Sequence, residues 1–379
     1  MSNSPILITG ATGFLGGFLA GKLIKKGRKT ILAVRPKGNN TARQRVENLL
    51  RFLAIEKAEH EPVVIPAEID KPGLGLSEEH RQILRDVPEV LHCAADTSFA
   101  ERKKQQVETT NLQGMLNVFD VVPNCERFFH MSSAYSAGKQ QGLIKEEMQH
   151  PSSFHNPYEQ SKNEAEKLIT NLCREKGINL TVFRPSITYG DAITGKSLRF
   201  NALYFPVRTL LFFRDSLKKD IMEKSGKRAA NLGVSISKNG EIHLPLTFPG
   251  NGRLNLVPIN FLVKAVTAIM DSKETGIFHI VNPKSDTIGQ FINNIERHYS
   301  ISGLEVAEKS THDGPLQIII NSYMDVYYPY FCDKRIFNDY RSRKILEPLG
   351  IKCPALTPAI FKRCMDFAME ADWGSKIQV

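Results

Sequence analysis

Tyr158 and Lys162 stand four positions apart in the run Tyr-Glu-Gln-Ser-Lys, a spacing that sets a phenol and an ammonium on one face of a helix. A phenol with its ordinary pKa of about 10 is a poor base at neutral pH. A neighbouring cation favours the phenolate, and the pair can then give a proton to a developing alkoxide or take one back. Taken alone, such a pair is equally at home on a solvated helix face. Upstream, Ser132-Ser133-Ala134 closes a β-like run with a hydroxyl able to hold a substrate oxygen beside the phenol. Ser133 is the expected donor, with Ser132 turned to the other side of the strand.

A second chemistry-bearing stretch is Thr9–Gly16, TGATGFLG, set between the apolar run Ile6-Leu7-Ile8 and the helix-like Gly17–Lys26. A glycine turn between a buried strand and a helix lets backbone N–H groups approach a pyrophosphate at the positive helix end. Gly10 permits the sharp turn, Gly13 admits the phosphates and Gly16 lets the helix pack on the sheet. Thr12, Phe14 and Leu15 complete the predicted cradle, whose implied ligand is a dinucleotide. A glycine turn without a ligand is the alternative.

The second strand ends Ala33-Val34-Arg35. A carboxylate at that strand end would hold both ribose hydroxyls of NAD. Here Arg35 stands there, followed by Lys37, Arg43 and Arg45, and a guanidinium can stack on adenine and hold a 2′-phosphate. The expected cofactor is therefore NADP(H). The third strand leads into Ala67-Glu68-Ile69-Asp70. The Glu68 carboxylate and the Ile69 N–H are expected at adenine, with Asp70 as a substitute and solvated loop carboxylates as the alternative. His92-Cys93-Ala94-Ala95 then supplies small residues, Ala94 and Ala95, where the cofactor passes the sheet edge. His92 itself reads as a strand residue.

These residues need a frame, and the first half of the chain predicts one. Pro5–Thr9, Thr30–Val34, Pro62–Ile65, Glu89–His92, Glu126–Met131 and Asn179–Phe183 read as buried strands. Thr41–Leu53, Ser77–Leu84, Val107–Phe119 and Tyr158–Lys176 read as helices between them. That alternation predicts an α/β fold with a doubly wound parallel sheet, which Phe278–Val281 rejoins late. Residues 1–190 plus about 251–284 form the expected cofactor domain. Residues from about 191 to 250 plus 285–379 form an expected smaller substrate-binding lobe over the nicotinamide end.

Composition narrows the class. The 379 residues, 41% hydrophobic and 24% charged, suit a globular protein with ample core. No apolar run approaches the roughly 20 residues that span a bilayer. The cofactor strand begins at Ile6, which argues against a signal peptide. The 6 cysteines lack paired spacing, so no metal site or disulfide framework is expected. They read as reduced thiols, and a cytoplasmic location is expected. The formal charge of +10 is compatible with solvated helix faces or with an anionic partner, without a nucleic-acid motif.

The sequence resembles the extended short-chain dehydrogenase/reductases in TGATGFLG, His92–Ala95, Met131–Ala134, Tyr158–Lys162 and Phe183–Ser186. That resemblance implies a Rossmann-type fold and a catalytic set of Ser133, Tyr158 and Lys162, with Lys162 also on the nicotinamide ribose. It further implies that Asn111 completes a water relay to the lysine, and that Pro185 and the backbone to Ile187 border the nicotinamide, with Arg184 behind. Leu32–Val46, Leu74–His80, Val90–Phe99, Thr109–Gly114 and Asn255–Leu262 are similar to the male-sterility-type branch of fatty acyl-CoA and thioester reductases. In that branch NADPH reduces an acyl thioester to an aldehyde and sometimes an alcohol, and Arg45 matches its basic residue after strand two. The branch usually has Asp where Glu68 and Asn260 stand. Residues 191–250 carry no such match.

The implied partner is therefore an acyl-CoA or an acyl carrier protein. Phe200–Phe213, FNALYFPVRTLLFF, reads either as the wall of an acyl tunnel or lipid-docking helix, or as a core helix of the lobe. Peripheral membrane contact and self-association stay open. The competing readings are an aldehyde or ketone reductase, a nucleotide-sugar enzyme, and a dinucleotide sensor without turnover.

Overall fold

The computed structural model describes residues 4–250, 252–308 and 313–379. Seven strands make one parallel sheet: β1 (Ile6–Thr9), β2 (Thr30–Val34), β3 (Val63–Pro66), β4 (Glu89–His92), β5 (Arg127–Met131), β6 (Asn179–Pro185) and β7 (Gly276–Ile280). Their order is β7-β6-β5-β4-β1-β2-β3, and every neighbouring pair is parallel. The order reverses between β1 and β4. There the loops leaving the two strands diverge and open a crevice at their carboxyl ends.

Continuous apolar runs such as Ile6-Leu7-Ile8 suit this sheet because helices cover both of its faces. Ile6 and Ile8 point into one core with α1 (Phe14–Lys25), while Leu7 points into the other. Thr41 caps α2 (Ala42–Phe52) in a reciprocal capping box with Gln44, and Ser77 caps α3 (Glu78–Arg85). The helix expected over 107–119 is interrupted. It runs as α4 (Lys104–Glu108), a π-helical turn over Thr109–Gln113, and α5 (Gly114–Asp120).

The catalytic-motif helix α6 (Pro157–Lys176) starts on Asn156, whose side chain accepts from the Glu159 N–H, with Pro157 in its first turn. It stops at the left-handed Gly177. Beyond the sheet strands come α7 (Tyr204–Glu223), α8 (Lys227–Asn231), α9 (Ile259–Ser272), α10 (Ile288–Tyr299), α11 (Pro315–Met324), α12 (Tyr328–Phe331), α13 (Tyr340–Leu346) and α14 (Pro358–Glu370). A separate core gathers Val207, Leu210 and Leu217 of α7 with Ile292 of α10, Ile320 of α11 and Phe361 of α14. It is floored by the strand Ile242–Pro249, which pairs in parallel with Ile301–Ala307.

One part of the expected lobe lies elsewhere. Leu346 of α13 joins the sheet core beside α9, and the Arg341 guanidinium stacks 4.9 Å over the Phe278 ring of β7. Glu146 fixes this return by accepting from the N–H groups of His279 and Arg341. The run Ile345–Ile351 is apolar enough to cover the sheet edge, and its distance along the chain gave no sign of that.

Candidate active site

The glycine turn is closed by backbone alone. Gly10 has φ +66°, and a Cβ there would lie 2.6 Å from the Ala94 nitrogen; a Cβ on Gly16 would lie 2.3 Å from the Gly10 carbonyl. Helix α1 therefore seats directly on the turn. Its N-cap is Gly13, with no capping side chain and no acidic residue in the first turn. The free N–H groups and positive helix end fit a pyrophosphate, which is the test the cofactor reading has to pass.

At the end of β2 the Arg45 guanidinium donates to the Arg35 carbonyl at 2.5 Å. Its pKa is drawn down by burial, then by the nearby cations Arg35 and Arg199. Three guanidiniums gathered at one strand end repel one another, and a phosphate dianion would relieve that repulsion. Glu68 is ion-paired in this structure. Its carboxylate accepts from Lys71 Nζ at 2.6 Å, and this exposed pair stands at the loop after β3. Ile69 packs beside Gly114 and its carbonyl accepts from Asn117 at 2.8 Å.

A cavity of about 560 Å³ opens at the crevice. Its walls bring together Gly10, Gly13, Phe14, Leu15 and Gly16 with Ala95, Ser133, Tyr158, Lys162, Pro185 and Ile187. Thr12, Ala94, Asn111, Arg35, Arg45, Glu68 and Ile69 lie outside these walls. Ser133 and Tyr158 both face the cavity, and the serine hydroxyl acts on the phenol to favour its charged form. Ser132 turns the other way, as strand alternation requires, and its hydroxyl donates to Glu166.

The protonation chemistry departs from the expected cause. Burial pushes the Tyr158 phenol up to about 12, the Ser133 hydroxyl opposes the rise, and the Glu159 charge adds to it. Burial also draws Lys162 down to about 8, while its Nζ donates to the Met131 carbonyl at 2.7 Å. A desolvated phenol that keeps its proton is poised as a donor, the role a carbonyl reduction needs.

Asn111 is held by protein groups on two neighbouring elements. It sits buried in the π-helical turn, a distortion often found at functional sites. Its amide donates to the Asp96 carbonyl and to Ser161 Oγ, and its carbonyl accepts from the Asp96 N–H. It therefore clamps the loop after β4 to α6 one residue before Lys162. His92 is a strand residue: its ring pairs with Thr9 Oγ1 at 2.9 Å, and burial with the Lys162 charge holds it down to about 3.

Behind Ser133 lies a wholly buried ion pair. Arg184 on β6 donates through Nε, at 2.9 Å, and Nη2 to Glu166 of α6, which also accepts from Ser132 and Ser136. These donors satisfy the carboxylate that burial would otherwise penalise. They also pin the strand end that carries Ser133. Opposite, the cavity wall is apolar and aromatic: Phe99, Leu203, Pro206, Leu254, Phe291, Tyr327, Tyr330 and Phe331. Leu203 and Pro206 come from the aromatic stretch before and within α7, most of which is core. Phe212 of that stretch is exposed.

The model of an NAD-binding domain, described as "Male sterility protein", matches residues 8–266. The chain belongs to the male sterility protein family. A nicotinamide dinucleotide is the cofactor class that goes with that domain. Within curated proteins, fatty acyl-CoA reductase 1 of Rattus norvegicus is 33% identical over 144 residues, covering 35% of this chain and 28% of the rat protein. Fatty acyl-CoA reductase 2 of Mus musculus is 34% identical over 148 residues, covering 36% and 29%. The chain thus matches less than a third of these relatives' length.

Among solved structures, the terminal R domain of the myxalamid PKS-NRPS biosynthetic pathway superposes with a TM-score of 0.73 at 20% identity, over 100% of this chain and 93% of that one. UDP-glucuronic acid 4-epimerase from Bacillus cereus, in complex with NAD, gives 0.63 at 16% identity over 98% of each. At such identities the likeness is one of fold.

For this male sterility family member, sequence reasoning missed Arg199, Glu166, Phe99 and Tyr330. Arg199 and Tyr330 belong to segments without a motif and reach the site only by folding. Glu166 carried a legible signal: it lies four residues after Lys162 and eight after Tyr158, on the same helical face.

Proposed function

We propose that this protein is an NADPH-dependent reductase of an acyl thioester, an acyl-CoA or a carrier-bound acyl group, yielding an aldehyde and, after a second reduction, an alcohol. The observation that carries the reading is that Ser133, Tyr158 and Lys162 line one cavity with the glycine turn on one side and an apolar wall on the other. The α1 N-terminus with Gly10, Gly13 and Gly16 would hold the pyrophosphate. Arg35, Arg45 and Arg199 would hold the 2′-phosphate, which favours NADPH over NADH. When bound, NADPH supplies a hydride to the carbonyl carbon.

The chain's own groups do the rest. Ser133 and Tyr158 hold the carbonyl oxygen, and Tyr158 gives its proton to the oxygen as negative charge develops there. The buried Glu166–Arg184 pair keeps Ser133 in place. Lys162, on the same helix face, holds the ribose. With a thioester, the hemithioacetal collapses: its hydroxyl proton returns to Tyr158, the C–S bond breaks, the thiolate leaves and the aldehyde remains. The apolar wall receives the acyl chain. The names of the rat and mouse relatives support an acyl-CoA substrate, and a thiolation-reductase di-domain from an archaeal non-ribosomal peptide synthetase, TM-score 0.69 at 15% identity, supports a carrier-bound one. We place the protein in the cytoplasm on its free thiols.

The test follows absorbance of the reduced nicotinamide with acyl-CoAs, carrier-bound acyl groups, long-chain aldehydes and simple ketones. Oxidation with thioesters supports the reading; turnover confined to ketones rejects it. The Tyr158→Phe variant should keep NADPH binding and lose about 100-fold or more in kcat. Unchanged turnover would remove Tyr158 from its role.

A further inference from the structure

Tyr330, in α12, is far from the catalytic motif in sequence and against it in space. Its hydroxyl donates to Glu159 Oε1 at 2.8 Å and accepts from Asn156 Nδ2 at 2.7 Å. Asn156 is at the same time the N-cap of α6, and Glu159 follows Tyr158 directly. A hydroxyl from the lobe is thus built into the first turn of the helix that carries the proton donor. Glu159 is fully buried, and its other oxygen accepts from the His155 N–H at 3.0 Å. The clasp therefore works in a place where a lost partner is costly.

The ring of Tyr330 does a second thing. It stacks on Phe99, with centroids 5.6 Å apart at 26°, and Phe99 packs against the Tyr158 ring at 6.0 Å and 32°. Tyr135 meets the Tyr330 ring edge-on at 5.1 Å. On the lobe side the neighbouring Tyr327 stacks on Phe205 at 5.2 Å. An aromatic row thus runs from Phe205 of α7 through Tyr327 and Phe99 to the catalytic phenol, with Tyr330 stacked on Phe99 beside it. Phe99, Tyr158, Tyr327 and Tyr330 all face the cavity.

We propose that Tyr330 is a positioning residue for proton transfer: its hydroxyl locks the lobe onto the first turn of α6 through Asn156 and Glu159, and its ring, through Phe99, fixes the aim of the Tyr158 phenol. This rests on the reductase reading above. Aim matters because the phenolic proton has to meet a developing oxyanion within hydrogen-bond reach, and a small misplacement lowers the rate while leaving binding intact. A residue acting only as pocket wall would instead change KM.

The experiment measures kcat and KM with the most active acyl substrate, alongside NADPH affinity by nicotinamide fluorescence and the thermal midpoint. Tyr330→Phe keeps the ring and removes the clasp; it should lower kcat about tenfold, with KM and NADPH affinity within about twofold. Glu159→Leu should lower kcat equally, and the double variant should be no worse than either single one. Glu159→Gln keeps an acceptor for the hydroxyl and should cost less than Glu159→Leu. An unchanged kcat in Tyr330→Phe, a loss confined to KM, or additive losses in the double variant overturn the proposal. Should Tyr330→Phe unfold, Phe99→Leu tests the ring contact, and an unchanged kcat there is equally fatal. A wild-type protein silent towards every carbonyl overturns the reductase reading and this proposal with it. An active wild type with an unaffected Tyr330→Phe overturns only the latter.

Discussion

The glycine turn and the aromatic wall face each other across one cavity, and they are made in opposite ways. The turn is built from backbone: Gly10, Gly13 and Gly16 lie within a few residues of one another, and their function is the absence of side chains. The wall is built from large side chains drawn from distant segments, Phe99 after β4, Leu203 before α7 and Tyr327 and Tyr330 beyond α11. A backbone site tolerates almost no addition, because its contacts are already at the steric limit. A side-chain wall can shift one ring and still close, so its residues tune the reaction where the glycines permit it.

The largest expected effect attacks that contrast at its rigid end. Gly16→Ala sets a Cβ 2.3 Å from the Gly10 carbonyl and must push α1 off the turn. It should abolish NADPH binding in a fluorescence titration. By comparison Leu203→Ala, in the wall, should leave that binding intact and raise KM for long acyl chains more than for short ones. Equal effects of the two on cofactor affinity would erase the distinction drawn here.

A second measurement asks whether the two regions are separate at all. Arg199 comes from the otherwise unmatched segment, yet its charge bears on Arg45. Arg199→Ala should weaken NADPH about tenfold and leave NADH affinity unchanged, as one charge-assisted phosphate contact is worth about 1.5–3 kcal/mol. Equal losses for both cofactors would take Arg199 out of phosphate recognition.

The smallest effect concerns Lys162. Its folded pKa, drawn down to about 8 from an ordinary 10.5, means that burying the ammonium opposes folding below pH 8. That opposition fades between pH 8 and 10.5, where the unfolded chain binds the extra proton. Lys162→Met should therefore raise stability at pH 7 by about 1–3 kcal/mol in denaturant unfolding, offset in part by the lost bond to the Met131 carbonyl. The gain should vanish near pH 10.5. In the wild type, kcat/KM should fall as pH rises through about 8, because Tyr158 keeps its proton there while Lys162 loses its own.

Particular residues show how much was legible. The strand-turn-helix at Ile6–Lys25 is local, so a dozen residues determine it, and strand ends elsewhere differ from expectation by one or two positions. Ser133 and Tyr158 were readable because a strand end and a helix start bring a local motif each to the same crevice. The pairing of Glu68 with Lys71 in the loop after β3 was not legible, because propensity does not weigh which cation lies nearest a loop carboxylate. Spacing reports that Lys162 is near Tyr158 but says nothing of desolvation, the largest influence on both groups.

By itself, then, the sequence determined what short-range physics controls: the apolar strands, the caps, the left-handed glycines and the pairing of motif with element. The tertiary structure alone decided which distant side chains meet at the site: Arg199 beside Arg45, Arg184 against Glu166, Tyr330 on Asn156 and Glu159. The reason is that the partners of each of these contacts lie on separate elements, and only the packing of those elements excludes water and sets the distances at which their charges and hydroxyls act.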